Sequence, residues 1–420
     1  MIKVINRSDI GAILAKRKGT YGDIQEPVKK IIGDVRKHGD RALLKFRKLY
    51  DHIGSKDLTV DQKVIKSAFN KLSRTEKRAF MFAIKRVTAF HIQEKRRIKP
   101  WRLTESTGIS YGEFFSPVQR VGLYVPGGSA SYPSTVIMNA VPALVAGVKD
   151  ITMATPSPDY PVLAVAGMLG IKRVVSMGGA HAIAALAYGT ESIEKVDKIV
   201  GPGNRYVTLA KKLVYGDVGI DMVAGPSEVV IVADGSVNPS FIAADLMAQA
   251  EHDEQAMSVL IAPTPIYIQR VNEHMRRLVS SMKRKATINK SLRNYGFAVV
   301  ANTLKRAMDV ANLIAPEHLE LAVRKPQEYL KFVRNAGAVF LGAYTPEVLG
   351  DYVAGPDHVL PTMGSARFSS GLGVYDFMKR TTLLEVKENG FLRLAPYAEI
   401  IGRAEGLDAH TLAARIRIHR

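Results

Sequence analysis

Cysteine is absent from the 420 residues. That excludes a disulfide framework and a thiolate zinc site, so any transition metal here must be held by nitrogen and oxygen. Long apolar runs are also missing. None approaches the roughly 20 residues of a membrane span, and Met1 leads into a mixed polar stretch rather than a secretory signal. The expected compartment is the cytoplasm, with no membrane partner. Low-complexity tracts and exact internal repeats do not occur, and no loop carries a complete G-x-G-x-x-G.

What is present is ordinary for a globular protein long enough for two or more domains: 47% apolar and 23% charged residues. The net charge is +20, but its distribution matters more than its size. Residues 1–102 hold 27 Lys/Arg against 10 Asp/Glu, whereas residues 103–266 hold 9 against 15. The excess therefore sits in runs such as "AKRK" and "EKRRIKPWR", which fit solvated helix faces better than a nucleic-acid surface. A basic nucleic-acid-binding protein stays open as a rival reading, supported by charge alone.

The spacing of apolar residues in "PVKKIIGDVRKHGDRALLKFRKLY" and "RTEKRAFMFAIKRVTAFHIQ" predicts helices over much of residues 1–100. From about residue 119 the texture changes. Short β-branched runs ("RVGLYV", "DITMAT", "RVVSM", "KIVG", "EVVIVA") end in Gly, Pro or Ser and alternate with apolar helical stretches. A second block repeats the alternation through "SVLIAP", "GFAVVA", "HLELAV", the expected helix "PQEYLKFVRNA" and "GAVFLG". This is the pattern of βαβ units in parallel sheets, with ligands expected at the strands' carboxyl ends. The predicted fold class is α/β: two incomplete Rossmann-like parallel-sheet domains, a helical N-terminal segment and a small C-terminal tail domain.

Three loops join strand to helix with glycine: "YVPGG" (Tyr124 to Gly128), "MGGAH" (Met177 to His181) and "VGPGN" (Val200 to Asn204). Glycine permits close backbone approach, and the helix N-terminus offers free N–H groups to phosphate. Each loop alone is a weak signal, but three in one sheet favour a phosphate-bearing cofactor. In "AQAEHD" the side chains of Gln249 and His252 leave one face of a helix. Asp351 and His358 share the loop "GDYVAGPDHVLPT", and Glu405 and His410 lie in "EGLDAH". Singly these are ordinary cap or surface residues. Together Gln249, His252, Asp351 and His410 supply four N/O donors, a set that suits zinc in a cysteine-free chain. Glu317 and His318 in "LIAPEHLEL" place two titratable groups at the start of an apolar strand.

The stretches "GLYVPGGSASYPSTVIMNAVPALVAGV", "GPGNRYV", "DMVAGPSEV", "AQAEHD", "APEHLEL", "GDYVAGPDHVLPT" and "ARFSSGL" resemble histidinol dehydrogenase. The resemblance runs from about residue 20 to the C-terminal histidine. It implies an NAD-dependent, zinc-containing homodimer that oxidises L-histidinol to L-histidine through an enzyme-held aldehyde, with sites built from both subunits. By motif position it implies Glu317 and His318 as the catalytic pair and Gln249, His252, Asp351 and His410 as zinc ligands. Substrate contacts are implied for Ser227, Gln249, His252, His318, Asp351, His358, Glu405 and His410, and cofactor contacts for Tyr124, His181 and Asn204. His181 stands where the family usually has glutamine; imidazole can also make one hydrogen bond, but it can become charged.

The expected domain division is a segment 1–18, a larger α/β domain formed by 19–123 and 227–371, an inserted Rossmann-like domain 124–226, and a tail 372–420 in the dimer contact. A same-fold zinc and NAD alcohol dehydrogenase acting on another small alcohol, such as a sulfonated diol, is the second reading. Ser227, His358 and Glu405 favour histidinol over it.

Overall fold

The computed structural model describes residues 1–17, 21–127, 131–156 and 158–418. Gly128, at the end of the first glycine loop, lies outside the described residues. Fourteen strands are found among the described residues: β1 (Lys3–Val4), β2 (Trp101–Thr104), β3 (Ile109–Pro117), β4 (Arg120–Tyr124), β5 (Asp150–Thr155), β6 (Arg173–Ser176) and β7 (Lys198–Val200). The rest are β8 (Gly219–Ile220), β9 (Glu228–Ala233), β10 (Met257–Ala262), β11 (Phe297–Val300), β12 (His318–Ala322), β13 (Ala338–Leu341) and β14 (Met378–Val386).

They form two parallel sheets and one antiparallel sheet. The five-stranded sheet has the order β6-β5-β4-β7-β8, and the six-stranded sheet has β1-β11-β10-β9-β12-β13. Every residue of β9, β10 and β12 is buried, which is why these strands read as unbroken apolar runs: helices cover both faces. Helix starts follow local chemistry. Asp159 caps Tyr160–Met168, and Asn238, Thr264 and Thr303 cap the helices that follow β9, β10 and β11. Ser73 and Glu76 form a reciprocal capping box at the head of Arg74–Lys95.

The α/β class with parallel sheets is as expected. The helices Gly22–Phe46, Gln62–Lys71 and Arg74–Lys95 share cores with the five-stranded sheet, and Val353 and Val359 join one of these cores. The apolar faces of these three helices cover helices such as Pro133–Ala146 and Gly179–Tyr188, whose own outer faces are too apolar to meet water. The first residues are part of the six-stranded body: β1 pairs with β11, and the buried Arg17 guanidinium pairs with Glu228 and donates to the carbonyls of Pro226 and Gln255. The third sheet, β14-β3-β2, was not legible in the sequence. Residues 326–336 form only a short 3-10 turn, Pro326–Phe332, rather than a full helix. Asn312 captures the backbone there, accepting from the N–H groups of Arg334 and Asn335 and donating to the Phe332 carbonyl.

Residues 221–227 carry the chain from the carboxyl end of β8 to the amino end of β9. That short connection joins the carboxyl edge of one parallel sheet to the amino edge of the other.

Candidate active site

Glu317 and His318 lie at the amino end of β12, beside the amino end of β9, with His318 in register with Val229. Both are buried. The backbone N–H of Glu228 donates to Glu317 Oε2 at 2.9 Å, and the Glu228 carbonyl lies 3.2 Å from His318 Nδ1. A carbonyl only accepts, so Nδ1 carries the proton and Nε2 presents a lone pair. That Nε2 is buried without a hydrogen-bond partner, 3.8 Å from Asp351 Oδ1. Burial, with His252 and His358 nearby, pushes the imidazole down to about 3, so it is neutral at physiological pH. Burial drives Glu317 well above the carboxylate range, reinforced by Glu228 and Asp351; the Glu228 N–H and the Ser227 hydroxyl pull the other way.

The helix Pro239–His252 leaves the carboxyl end of β9 and runs back along the sheet. Its last turn, with Gln249 and His252, therefore returns to the amino edge four residues before β10 begins. The one-turn helix Glu347–Tyr352 brings Asp351 to the same place. Ligand atoms of His252, Glu347 and Asp351 all lie within 4.8 Å of one another. The Gln249 amide, oriented to donate, meets both Glu347 oxygens at 2.8 and 2.9 Å, which turns its own oxygen away from Glu347. His358 Nδ1 donates to the Asp351 carbonyl at 2.9 Å. Burial raises Asp351 to about 7, and burial together with Asp351, Glu320 and Glu317 raises Glu347 well above its ordinary range.

Glu347 was missed by sequence reading. The available signal was its spacing of four from Asp351 in "TPEVLGDY", which puts both on one helical face. This edge is opposite to the one where parallel sheets usually bind ligands. Helix carboxyl ends converge here, and they favour a cation. Glu317, Glu347 and Asp351 are buried beside one another and His318, a costly arrangement without positive charge. The donors are nitrogen and oxygen only, and they fit a divalent metal such as zinc. Two expected members are not brought in: Glu405 and His410 are exposed on the tail, and His410 is outside this cluster in the single chain.

The cofactor candidates gather at the other sheet's carboxyl edge, around the switch point between β4 and β7. Tyr124 ends β4, and its hydroxyl accepts from the Gly179 N–H at 3.1 Å; burial raises it to about 12. Gly201 has φ +114°, and a side chain there would run into the Tyr124 carbonyl. Asn204 caps Arg205–Val214 through the N–H groups of Tyr206 and Val207. His181 is buried with Nε2 3.0 Å from Asp51 Oδ2, which also accepts the Gly178 N–H. Asp51 is a second residue that sequence reading missed, because its partners are more than 120 positions away.

Residues 14–418 match the family described as histidinol dehydrogenase. The histidinol dehydrogenases of Nitrosomonas europaea and Aquifex aeolicus are 46% and 49% identical to this chain. The alignments cover 98% and 94% of it, and 96% and 92% of those proteins. The chain belongs to the histidinol dehydrogenase family. The crystal structure of histidinol dehydrogenase from Elizabethkingia anophelis superposes with a TM-score of 0.94 at 34% identity, covering 100% of this chain and 98% of that one. The family resemblance expected from the motifs therefore holds along the whole chain.

Proposed function

We propose that the protein oxidises L-histidinol to L-histidine in two steps at one site, using two NAD. The observation that carries this reading is the neutral His318, whose free Nε2 lies beside Asp351 of the His252, Glu347 and Asp351 donor cluster. Membership of the family supplies the substrate. His318 Nε2 takes the alcohol's hydroxyl proton, and the Glu228 carbonyl steadies the imidazolium through Nδ1–H. Bound NAD supplies the acceptor for the hydride that leaves the same carbon. In the second step water adds to the aldehyde, and Glu317 takes its proton; burial makes the ionised carboxylate a stronger base than an exposed one. The hydrate would pass its hydride to a second NAD, and its remaining hydroxyl proton would go to His318 Nε2, which has by then released its first proton to solvent, leaving the carboxylate. Gln249, His252, Asp351 and His410 would hold zinc, which would supply Lewis-acid polarisation of the substrate's oxygen. Ser227 and His358 line the substrate, and Glu405 offers a carboxylate to a cationic amino alcohol. Tyr124, His181 and Asn204 hold NAD. The cytoplasm, where NAD is available, is the compartment we propose.

We further propose a homodimer in which the tail of each chain completes its partner's site. Support comes from His410 and Glu405, which lie in solvent away from the donor cluster. It comes also from the apolar residues exposed around them: Leu384, Tyr397, Ile400, Ile401, Leu412 and Ile416.

The test is NADH formation by zinc-loaded protein given L-histidinol, with the product identified. Two NADH per substrate and L-histidine as product are expected. Inactivity with histidinol but turnover of a sulfonated diol would favour the second reading and contradict the first.

A further inference from the structure

The helix Arg74–Lys95 packs on the five-stranded body, yet its inner face reaches the segment that carries Asp351 and His358. His91, on this helix, is fully buried. Its Nδ1 lies 2.7 Å from Glu94 Oε2, and its Nε2 faces Asp357 Oδ2 at 3.6 Å, two atoms with no other partner. Asp357 directly precedes His358, and its second oxygen accepts the Val359 N–H at 2.7 Å. Glu94 also accepts the Val374 N–H at 3.0 Å. One turn earlier Arg86 donates to the Ala354 carbonyl at 2.9 Å. Gly355, at φ +122°, packs so closely that a side chain would meet the Arg86 carbonyl at 3.3 Å.

Between two carboxylates a charged imidazole donates through both ring nitrogens, which a neutral one cannot do. Burial opposes that charge, but the facing carboxylates of Asp357 and Glu94 outweigh it and raise His91 to about 9. Such a buried ion cluster is a poor stabiliser compared with apolar packing of equal volume. What it supplies is a fixed geometry.

We propose that His91 is a positioning residue: it locks the loop 351–360, and with it Asp351 and His358, onto the body that carries Tyr124, His181 and Asn204. Through it the substrate-side and cofactor-side groups keep their relative placement. The proposal rests on the reading of Asp351 and His358 given above.

Amide hydrogen exchange and steady-state kinetics of zinc-loaded wild type, H91A and D357N test it. In H91A, exchange at residues 352–360 is expected to speed up while β4 stays protected. KM for L-histidinol should rise at least about tenfold, the size expected for loss of a charge-assisted hydrogen bond, with the affinity for NAD unchanged. D357N keeps the side-chain shape and the bond from Val359, and should shift the same amides by less; it also serves if H91A does not fold. Unchanged exchange at 352–360 in a folded variant would overturn the proposal. So would equal loss of protection in 352–360 and β4, the mark of a merely stabilising role. Exchange does not depend on histidinol turnover, so failure of the reaction assignment and failure of this proposal give different results.

Discussion

At the scale of residues, the account turns on where protons can sit. His318 spends Nδ1–H on a backbone carbonyl and keeps Nε2 free in a buried, positively unfavourable setting, which makes it a base and not an ion-pair partner. His318→Asn is expected to lower kcat/KM for histidinol by about 10²–10⁴-fold while leaving zinc content intact. Near-full turnover in this variant would show that another group accepts the proton. Glu347 supports a different step. Its two oxygens hold the Gln249 amide, so its loss frees a proposed metal ligand to rotate. Glu347→Ala should weaken zinc binding by about 10–100-fold in a competition titration with a chelator; unchanged affinity would reduce Glu347 to a bystander. The residue types for this chemistry were legible because Glu317, His318, Gln249, His252 and Asp351 recur in compact local strings. Glu347, Asp51 and His91 were not, because their importance comes from partners brought close only by folding.

At the scale of elements, β4 to β7 and β9 to β12 stood out in the sequence through β-branched runs bounded by Gly and Pro. Being buried on both faces removes the need for polar alternation. The antiparallel trio failed to stand out for the opposite reason: β2 and β14 are largely exposed, and although β2 and β3 form a local hairpin, β14 pairs with β3 from the far end of the chain. The edge on which the proposed donors gather was also not legible. Strand patterns point to carboxyl ends, but the donors of the six-stranded sheet ride on returning helix ends. One element makes a pH prediction. His91 has a folded value raised from 6.5 to about 9, so its stabilising contribution is complete below about 6.5 and disappears as pH rises through about 9. Wild type should lose stability to urea between pH 7 and pH 10 more steeply than His91→Phe does. Parallel pH profiles for the two proteins would contradict the charged state of His91.

For the whole molecule, the groups proposed to hold the cofactor and those proposed to handle protons come from different parallel sheets, joined by the short connection 221–227. A single chain still leaves His410 and Glu405 in solvent. The central claim is therefore that chemistry takes place at the amino edge of the six-stranded sheet and is completed by the tail of a second copy. The most direct measurement is the activity of a purified mixed dimer with one His318→Asn chain and one His410→Ala chain, each inactive as a homodimer. If tails are exchanged, one of the two sites combines an intact His318 with an intact partner tail, and about half the wild-type rate per dimer returns. If each tail serves its own chain, neither site is whole. A mixed dimer as inactive as its parents would contradict the account.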